Sequence, residues 1–393
     1  MVNFDYKNPT RIVFGKGTIP EAGKLIKEHG ASRVLLHYGS GSIKKNGVYD
    51  TVVKSLKEAG IEFAELGGVQ PNPRLALVKE GIGICRDKKL DFILAVGGGS
   101  VIDSAKAISV GVPYNGDVWD FYVPTAEPKT AVPVGTVLTI PAAGSEMSWS
   151  SVITNDDGKY KRFLDCQLLY PAFSIMDPET IFTLPAYQLG CGITDMFVHV
   201  YERYFTNARS VDLTDRICEA VMSAIIYNGK KLMENPKDYD AAAEIMWCGS
   251  LAHNNLAGTG RGGGDFASHM IEHELSAFND VAHGAGLAVI TPNMMRYTYK
   301  HDLQRFVQFA VRVFGIEQNF HNPEETALRG IEALGDFFRS LGMPKTLKEI
   351  GIEEKDFAAI AKKIRKFDAE NGTTGNFLPL KTADVEKILQ LAK

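Results

Sequence analysis

Asp91-Phe92-Ile93-Leu94-Ala95-Val96-Gly97-Gly98-Gly99-Ser100 is an apolar run that passes directly into three glycines and a serine, with a helical period following at once from Val101 to Val110. An unbroken apolar run this short reads as a strand buried on both faces, the kind found in parallel sheets covered by helices. The same alternation recurs on either side. Arg33-Val34-Leu35-Leu36-His37-Tyr38 ends in Gly39-Ser40-Gly41-Ser42 and precedes a helix over 47–59. A strand over 61–66 follows, then a helix that Pro71-Asn72-Pro73 opens and that runs to about residue 89. A further strand, 133–139, ends at Pro141-Ala142-Ala143-Gly144-Ser145-Glu146. Strands separated by helices predict an α/β unit with a parallel, Rossmann-like sheet. Every Gly/Ser cluster falls at a strand end, the edge where helix N-termini and free backbone amides converge on ligands.

The pattern changes near Asp177-Pro178-Glu179-Thr180-Ile181-Phe182-Thr183-Leu184-Pro185. Beyond it, helical periods cover 189–206, 211–228, 239–257, 265–277, 285–298, 302–314 and 324–341, with almost no strand signal. The expected organisation is a nucleotide-binding α/β domain over 1–182 and an all-α domain over 183–393. A chain of 393 residues, 45% hydrophobic, can bury two cores of that size. Its net charge of −4 offers no basic face to nucleic acid or an anionic membrane, and no run is long enough to span one. The five cysteines (Cys85, Cys166, Cys191, Cys218, Cys248) are scattered and odd in number, as expected of reduced core residues in a cytoplasmic protein.

Gly97, Gly98, Gly99 and Ser100, with Asp103 one turn on, place backbone amides and a hydroxyl at the start of a helix, where the macrodipole and unpaired N–H groups favour a pyrophosphate. The spacing is not G-x-G-x-x-G, so the turn departs from the ordinary dinucleotide fingerprint, and glycine can also serve such a turn for steric reasons alone. Gly39, Ser40, Gly41 and Ser42 would lie near the adenosine ribose. No acid stands there to repel a 2′-phosphate, and Lys44-Lys45 follow, which leans the expectation towards NADPH over NADH.

Three of the nine histidines fall between residues 269 and 283. With Asp265 as a helix N-cap, His269 and His273 share one helix face, and His283 returns after the Phe278-Asn279-Asp280 break. Asp195 and His199 form a second i, i+4 pair. One histidine on an apolar helix is ordinarily a hydrogen-bonded core residue, but two such pairs point to a metal held by a carboxylate and imidazoles. Mixed N/O ligation suits Zn²⁺ and Fe²⁺ alike. His29, His253, His301 and His321 read as ordinary histidines, and His37 as packing beside the nucleotide. His269-Met270-Ile271-Glu272-His273 also fits the inverted zinc-peptidase pattern, with Glu272 activating a water.

Taken together, Asn8 to Gly17, Tyr38 to Gly47, Pro71-Asn72-Pro73, Gly97 to Asp103, Gly144-Ser145-Glu146, Asp177-Pro178, Leu184-Pro185, Asp195 to His199 and His269 to Gly284 resemble the iron-containing (group III) alcohol dehydrogenases, in the butanol dehydrogenase and NADPH-dependent aldehyde reductase branch. The resemblance implies a dehydroquinate synthase-like two-domain fold with a cleft between the domains, usually in a homodimer. It implies Asp195, His199, His269 and His283 as ligands of one Fe²⁺ or Zn²⁺, and His273 beside the nicotinamide and substrate. Gly97, Gly98, Gly99, Ser100 and Asp103 match the dinucleotide turn, with Thr139, Ser145 and Lys161 at further NAD(P)H positions. The implied reaction interconverts a small alcohol and its aldehyde. Ala142-Ala143 replace a longer Thr-Gly-Thr run of many relatives, and Ser40 stands where some have glycine. Alternatives are a glycerol-type polyol dehydrogenase and a non-redox metal lyase, whose phosphorylated substrate would demand several Arg/Lys where the metal-helix segments offer Arg203 and Arg261 but little more. Trp149, Phe163, Phe197 and Phe266 are expected to favour a small uncharged one.

Overall fold

A computed structural model describes residues 1–393. The chain divides into two compact units: Lys7–Leu184 with Lys237–Ser250, and Met1–Tyr6 with Pro185–Pro236 and Leu251–Lys393. This differs from the expected 1–182 and 183–393 division in two segments, since Met1–Tyr6 counts with the helical unit and Lys237–Ser250 with the sheet.

The first unit is built on strands β1 (Arg11–Phe14), β2 (Arg33–Gly39), β3 (Glu62–Val69), β4 (Phe92–Gly98), β5 (Val134–Ile140) and β8 (Phe173–Met176), all parallel, in the order β1-β8-β5-β4-β2-β3. Helices α1 (Ala22–Glu28), α2 (Ser42–Lys45), α3 (Val48–Glu58), α4 (Leu75–Asp87) and α5 (Gly99–Gly111) connect them. Phe92, Ile93, Leu94, Ala95 and Val96 are all fully buried, so β4 is covered on both faces as its apolar run requires. A separate antiparallel hairpin, β6 (Ser150–Asn155) with β7 (Tyr160–Asp165), places Lys161 opposite Thr154. The periodicity did not predict β1, β8 or this hairpin.

The second unit is organised around α6 (Ala186–Tyr204), which is buried along most of its length. Around it are α7 (Asp212–Glu234), the end of α8 (Tyr239–His253), α9 (Ala267–Asn279), α10 (His283–Thr298), α11 (Leu303–Phe314), α12 (Pro323–Ser340), α13 (Phe357–Lys363) and α14 (Thr382–Leu391). The unit is not purely helical: bridges Asp368↔Thr373 and Thr374↔Leu380 fold back its C-terminal arm. Phe197, expected near a substrate, is instead a fully buried core residue whose ring lies 5.7–6.5 Å from Phe309, Phe314, Phe337 and Phe338. No helix is long and apolar enough to cross a membrane. Cys85, Cys218 and Cys248 are buried, whereas Cys166 and Cys191 are only partly so, and all five are free.

His37 shows how the sheet and its helices are tied together. It is fully buried in β2, with Nδ1 2.8 Å from the Leu66 carbonyl of β3 and Nε2 2.9 Å from Ser104 Oγ of α5. Burial pushes its pKa down from 6.5 to about 4, so the folded ring is neutral where the unfolded ring takes up a proton. Stability from this group is therefore fully present above pH 6.5 and is lost as the pH falls towards 4. By linkage the loss reaches about 2 kcal/mol at pH 5. Urea titrations at pH 7 and pH 5 should show that gap, and His37→Gln, though less stable at pH 7, should narrow it.

Candidate active site

Two helix starts and one helix middle bring the histidines and acids together. Asp195 and His199 lie one turn apart on α6, His269 is the third residue of α9 and His283 the first of α10. Close approach of α10 to α6 depends on Gly284, where an added Cβ would stand 2.1 Å from the Cys191 carbonyl oxygen. Asp265 is not the N-cap residue of α9. Phe266, in the left-handed region at φ 55°, precedes the helix, and the first-turn amides of Ser268 and His269 donate to Glu202 Oε1 at 2.6 and 3.4 Å. The Asp265 carboxylate receives the Ala267 amide that opens α9 as well as the amides of Asn376 and Phe377, both at 2.8 Å, and burial together with Glu202 pushes its pKa up to about 7.

Asp195 Oδ1 is the point of convergence. It lies 2.9 Å from His199 Nδ1, 3.5 Å from His269 Nε2 and 3.6 Å from His283 Nε2. Asp195, His199 and His269 are all buried, with donor atoms within 4.8 Å of one another. Neither Asp195 Oδ1 nor His269 Nε2 has a partner in hydrogen-bonding geometry, although both are shielded from solvent. Two buried polar atoms facing one another unsatisfied are costly unless a third group lies between them. One carboxylate oxygen and three imidazoles supply the donor set that a divalent cation takes, so these residues fit a metal.

Electrostatics agree with that fit at Asp195 and His199. Burial would raise the Asp195 carboxyl, but the imidazoles of His199 and His283 hold it well below the usual carboxylate range. Burial and the neighbouring His269 push His199 down to about 4, leaving it neutral with a lone pair to offer. His269 moves the other way: burial lowers it, but Glu202 and Asp195 outweigh burial and raise it to about 9. The Glu202 carboxylate touches His269 Nδ1, and Glu272 touches His283 Nδ1. The sequence reading does not pick out Glu202, and offers Glu272 only as the base of the peptidase alternative. Glu202 falls seven residues after Asp195, on the face that carries His199, and that spacing was the available signal. Nor does the sequence pick out His253, whose ring centroid is 4.4 Å from that of His199.

Glu272 is fully buried and also receives the Ser276 hydroxyl, so it cannot serve as the water-activating base of an inverted peptidase motif. His273 is buried beside this set, its ring 5.6 Å from His283 and 6.3 Å from His269. The arginines needed by the lyase alternative are committed. Arg261 reaches Asp215 at 2.5 Å with its side chain fully buried, and Arg203 donates to the His199 carbonyl at 2.9 Å. Phe266 packs beside the ligand rings, 5.7 Å from His269, while Trp149 packs on Tyr170.

In the sheet unit, β4 passes into α5 with no intervening loop, Gly98 ending the strand and Gly99 starting the helix. A Cβ at Gly97 would meet Val101 Cγ2 at 2.5 Å and one at Gly98 would meet Ile140 Cβ at 2.9 Å, so these two glycines are required for packing. Gly99 has ordinary room, and the α5 N-terminus carries no side-chain cap. With Ser100, its first-turn amides remain available to a pyrophosphate. Asp103 and Ser145 brace the turn, with Ser145 Oγ donating to Asp103 Oδ1 at 2.6 Å and the Val152 amide to Oδ2 at 2.9 Å. Lys106, fully buried, donates to the carbonyls of Ser145, Ser148 and Ser150 at 2.7–2.9 Å and fixes the same segment. Thr139 is buried near the end of β5, and Lys161 is buried on β7. At the other turn, Gly39 ends β2, Gly41 is left-handed at φ 116°, and Ser42 starts α2. Lys44 is not a free cation: Glu65 lies 3.7 Å away, and the Tyr38 and Tyr49 rings lie under it at 4.9 and 4.6 Å.

Gly284→Ala should destabilise the helical unit by about 1–3 kcal/mol, the usual result of overpacking, and weaken Co²⁺ uptake although no donor is removed. Thermal melts of the metal-free protein and Co²⁺ titration measure both effects.

Two family models match this chain: iron-containing alcohol dehydrogenase over residues 9–178, and the C-terminal domain of the Fe-containing alcohol dehydrogenase family over residues 191–393. A probable NADH-dependent butanol dehydrogenase 2 of Bacillus subtilis is 45% identical over 390 residues, 99% of each chain. The NADPH-dependent aldehyde reductase YqhD of Escherichia coli is 37% identical, covering 93% of this chain and 94% of its own. The crystal structure of NADH-dependent butanol dehydrogenase A from Thermotoga maritima superposes with a TM-score of 0.95 at 43% identity, covering 100% of this chain and 99% of that one. The chain therefore belongs to the iron-containing alcohol dehydrogenase family, in its butanol dehydrogenase branch, and is an NAD(P)-linked alcohol dehydrogenase.

Proposed function

We propose that this enzyme interconverts small primary alcohols of butanol type and their aldehydes, with a divalent metal held by Asp195, His199, His269 and His283. The observation that carries the reading is the convergence of three imidazoles on the unsatisfied Oδ1 of Asp195. A divalent cation, Fe²⁺ or Zn²⁺, supplies Lewis acidity to the substrate oxygen, and the nicotinamide carries the hydride. The chain's own residues do the rest. The α5 amides from Gly99 onward bind the pyrophosphate, with Gly97 and Gly98 bringing the strand close and Asp103, Ser145 and Lys106 keeping the turn in place. Thr139 and Lys161 are the further cofactor contacts, and Gly39 to Ser42 meet the ribose. The His273 imidazole relays the alcohol proton towards solvent, accepting it at one ring nitrogen and releasing one from the other.

Because Glu65 already pairs with Lys44, a 2′-phosphate gains little from that cation. An exposed pair contributes at most about 1 kcal/mol, so NADPH should be preferred over NADH by less than roughly tenfold. We also propose a homodimer working in the cytoplasm. The outer edge of β1 has no strand partner, and beside it Ile12, Phe14, Ala243 and Trp247 line an apolar hollow.

Purified protein should oxidise NADH and NADPH with butyraldehyde, lose turnover on chelation and regain it with Fe²⁺ or Zn²⁺. Turnover with glycerol but not with butanol would move the assignment to a polyol dehydrogenase. His283→Ala and Asp195→Ala should lose bound metal and activity together, as measured by elemental analysis of the purified variants. His273→Ala should keep its metal and lose about a hundredfold in kcat, the middle of the usual range for a proton-transfer group; an unchanged rate across the pH range would remove it from the mechanism.

A further inference from the structure

We infer that Glu202 and Glu272 are positioning residues for the metal centre. Each accepts a hydrogen bond from the Nδ1–H of one histidine, Glu202 from His269 and Glu272 from His283, and so commits that ring's Nε2 lone pair to the point that Asp195 Oδ1 faces. The inference rests on the ligand set proposed above and goes further, because neither acid belongs to that set.

Both carboxylates are fully excluded from solvent. A carboxylate is kept there only if every oxygen is satisfied, and the partners of these two are informative. Glu202 Oε2 meets His269 Nδ1, while Oε1 takes the Ser268 amide at 2.6 Å. One side chain from α6 thus caps α9 and sets the tautomer of the histidine in its first turn. Glu272 Oε2 meets His283 Nδ1, and Oε1 takes the Ser276 hydroxyl. Gly286 makes room for it, since a Cβ there would stand 2.7 Å from Glu272 Cγ. With the Nδ1 protons so held, His269 Nε2 and His283 Nε2 lie 3.5 and 3.6 Å from Asp195 Oδ1. A histidine that donates Nδ1–H to a carboxylate is fixed in orientation and is a more basic ligand, and removing such a partner typically weakens metal binding about 10- to 100-fold.

The two acids differ in what glutamine can replace. In Glu272→Gln the amide oxygen can still face His283 while the NH₂ group donates to Ser276 Oγ, so the fold is kept and only the charge is lost. In Glu202→Gln one position becomes a donor, and either the helix cap or the histidine contact must break. The test is Co²⁺ titration of the metal-free full-length protein against a competing chelator, with its visible absorption spectrum, for both glutamine variants and for His283→Ala. We expect both glutamine variants to bind Co²⁺ about 10- to 100-fold more weakly with a changed spectrum. The metal-free melting temperature of Glu272→Gln should stay unchanged, which separates orientation from a merely structural role. Should Glu202→Gln fail to fold, Glu272→Gln decides alone. Binding of Co²⁺ by folded Glu272→Gln with unchanged affinity and spectrum, while His283→Ala loses it, would overturn the positioning role and leave the ligand set standing. Normal binding by His283→Ala would overturn the ligand set and this inference with it.

Discussion

A carboxylate that is almost wholly buried and keeps its charge is the constraint on which the helical unit depends. Asp195 has 4% of its surface exposed, and the imidazoles around it hold it ionised. Glu202 and Glu272 add two more buried acids within two side chains of it. Such a concentration of negative charge in a low-dielectric interior is tolerable only where positive charge and hydrogen bonds converge on it. Helices α6, α9 and α10 meet where they do because each contributes part of that balance, and the packing serves it: Gly284 lets α10 approach α6, and the Glu202 carboxylate caps the first turn of α9, which carries His269.

The sheet unit solves a different problem, which is to turn a buried strand straight into a helix. Its strand β4 becomes α5 without a loop, so the first amides of the helix stand at the sheet edge. Two of the three glycines there are steric necessities, imposed by Val101 and Ile140. The third, Gly99, leaves room above the helix start. Asp103, Ser145 and buried Lys106 then anchor the following segment to α5 from below, with burial pushing the lysine down to about 8. Asp103 and Ser145, which look from their positions like cofactor contacts, are thus occupied in holding the turn.

The chemistry was more legible in the sequence than the connections that support it. The β4 run and its glycine turn announced the parallel sheet, because a strand buried on both faces needs an uninterrupted apolar stretch. The two histidine-bearing helices showed in the i, i+4 spacings of 195/199 and 269/273. Short edge strand β1 and the β6–β7 hairpin were missed, since a four-residue half-exposed strand and a mixed polar hairpin leave no clear period. Asp265 was read as the helix N-cap, a position that Phe266 takes, and another acid that caps the turn, Glu202, lies 66 residues away from the amide it receives. Phe197 looked like a pocket residue and is core, because composition does not reveal which face of a helix looks inward. Local spacing finds candidate ligands on one helix and places Glu202 on the face of Asp195 and His199; that its partner is His269, on another helix, leaves no signal at short range.

The central claim is that Asp195, His199, His269 and His283 enclose one metal ion. It is tested most directly by anomalous diffraction from crystals of the protein loaded with Fe²⁺ or Zn²⁺, collected on both sides of the metal's absorption edge. The account predicts one strong anomalous peak per chain, surrounded by Asp195 Oδ1 and the three imidazoles. A loaded, active crystal whose anomalous peak lay away from Asp195 would contradict it.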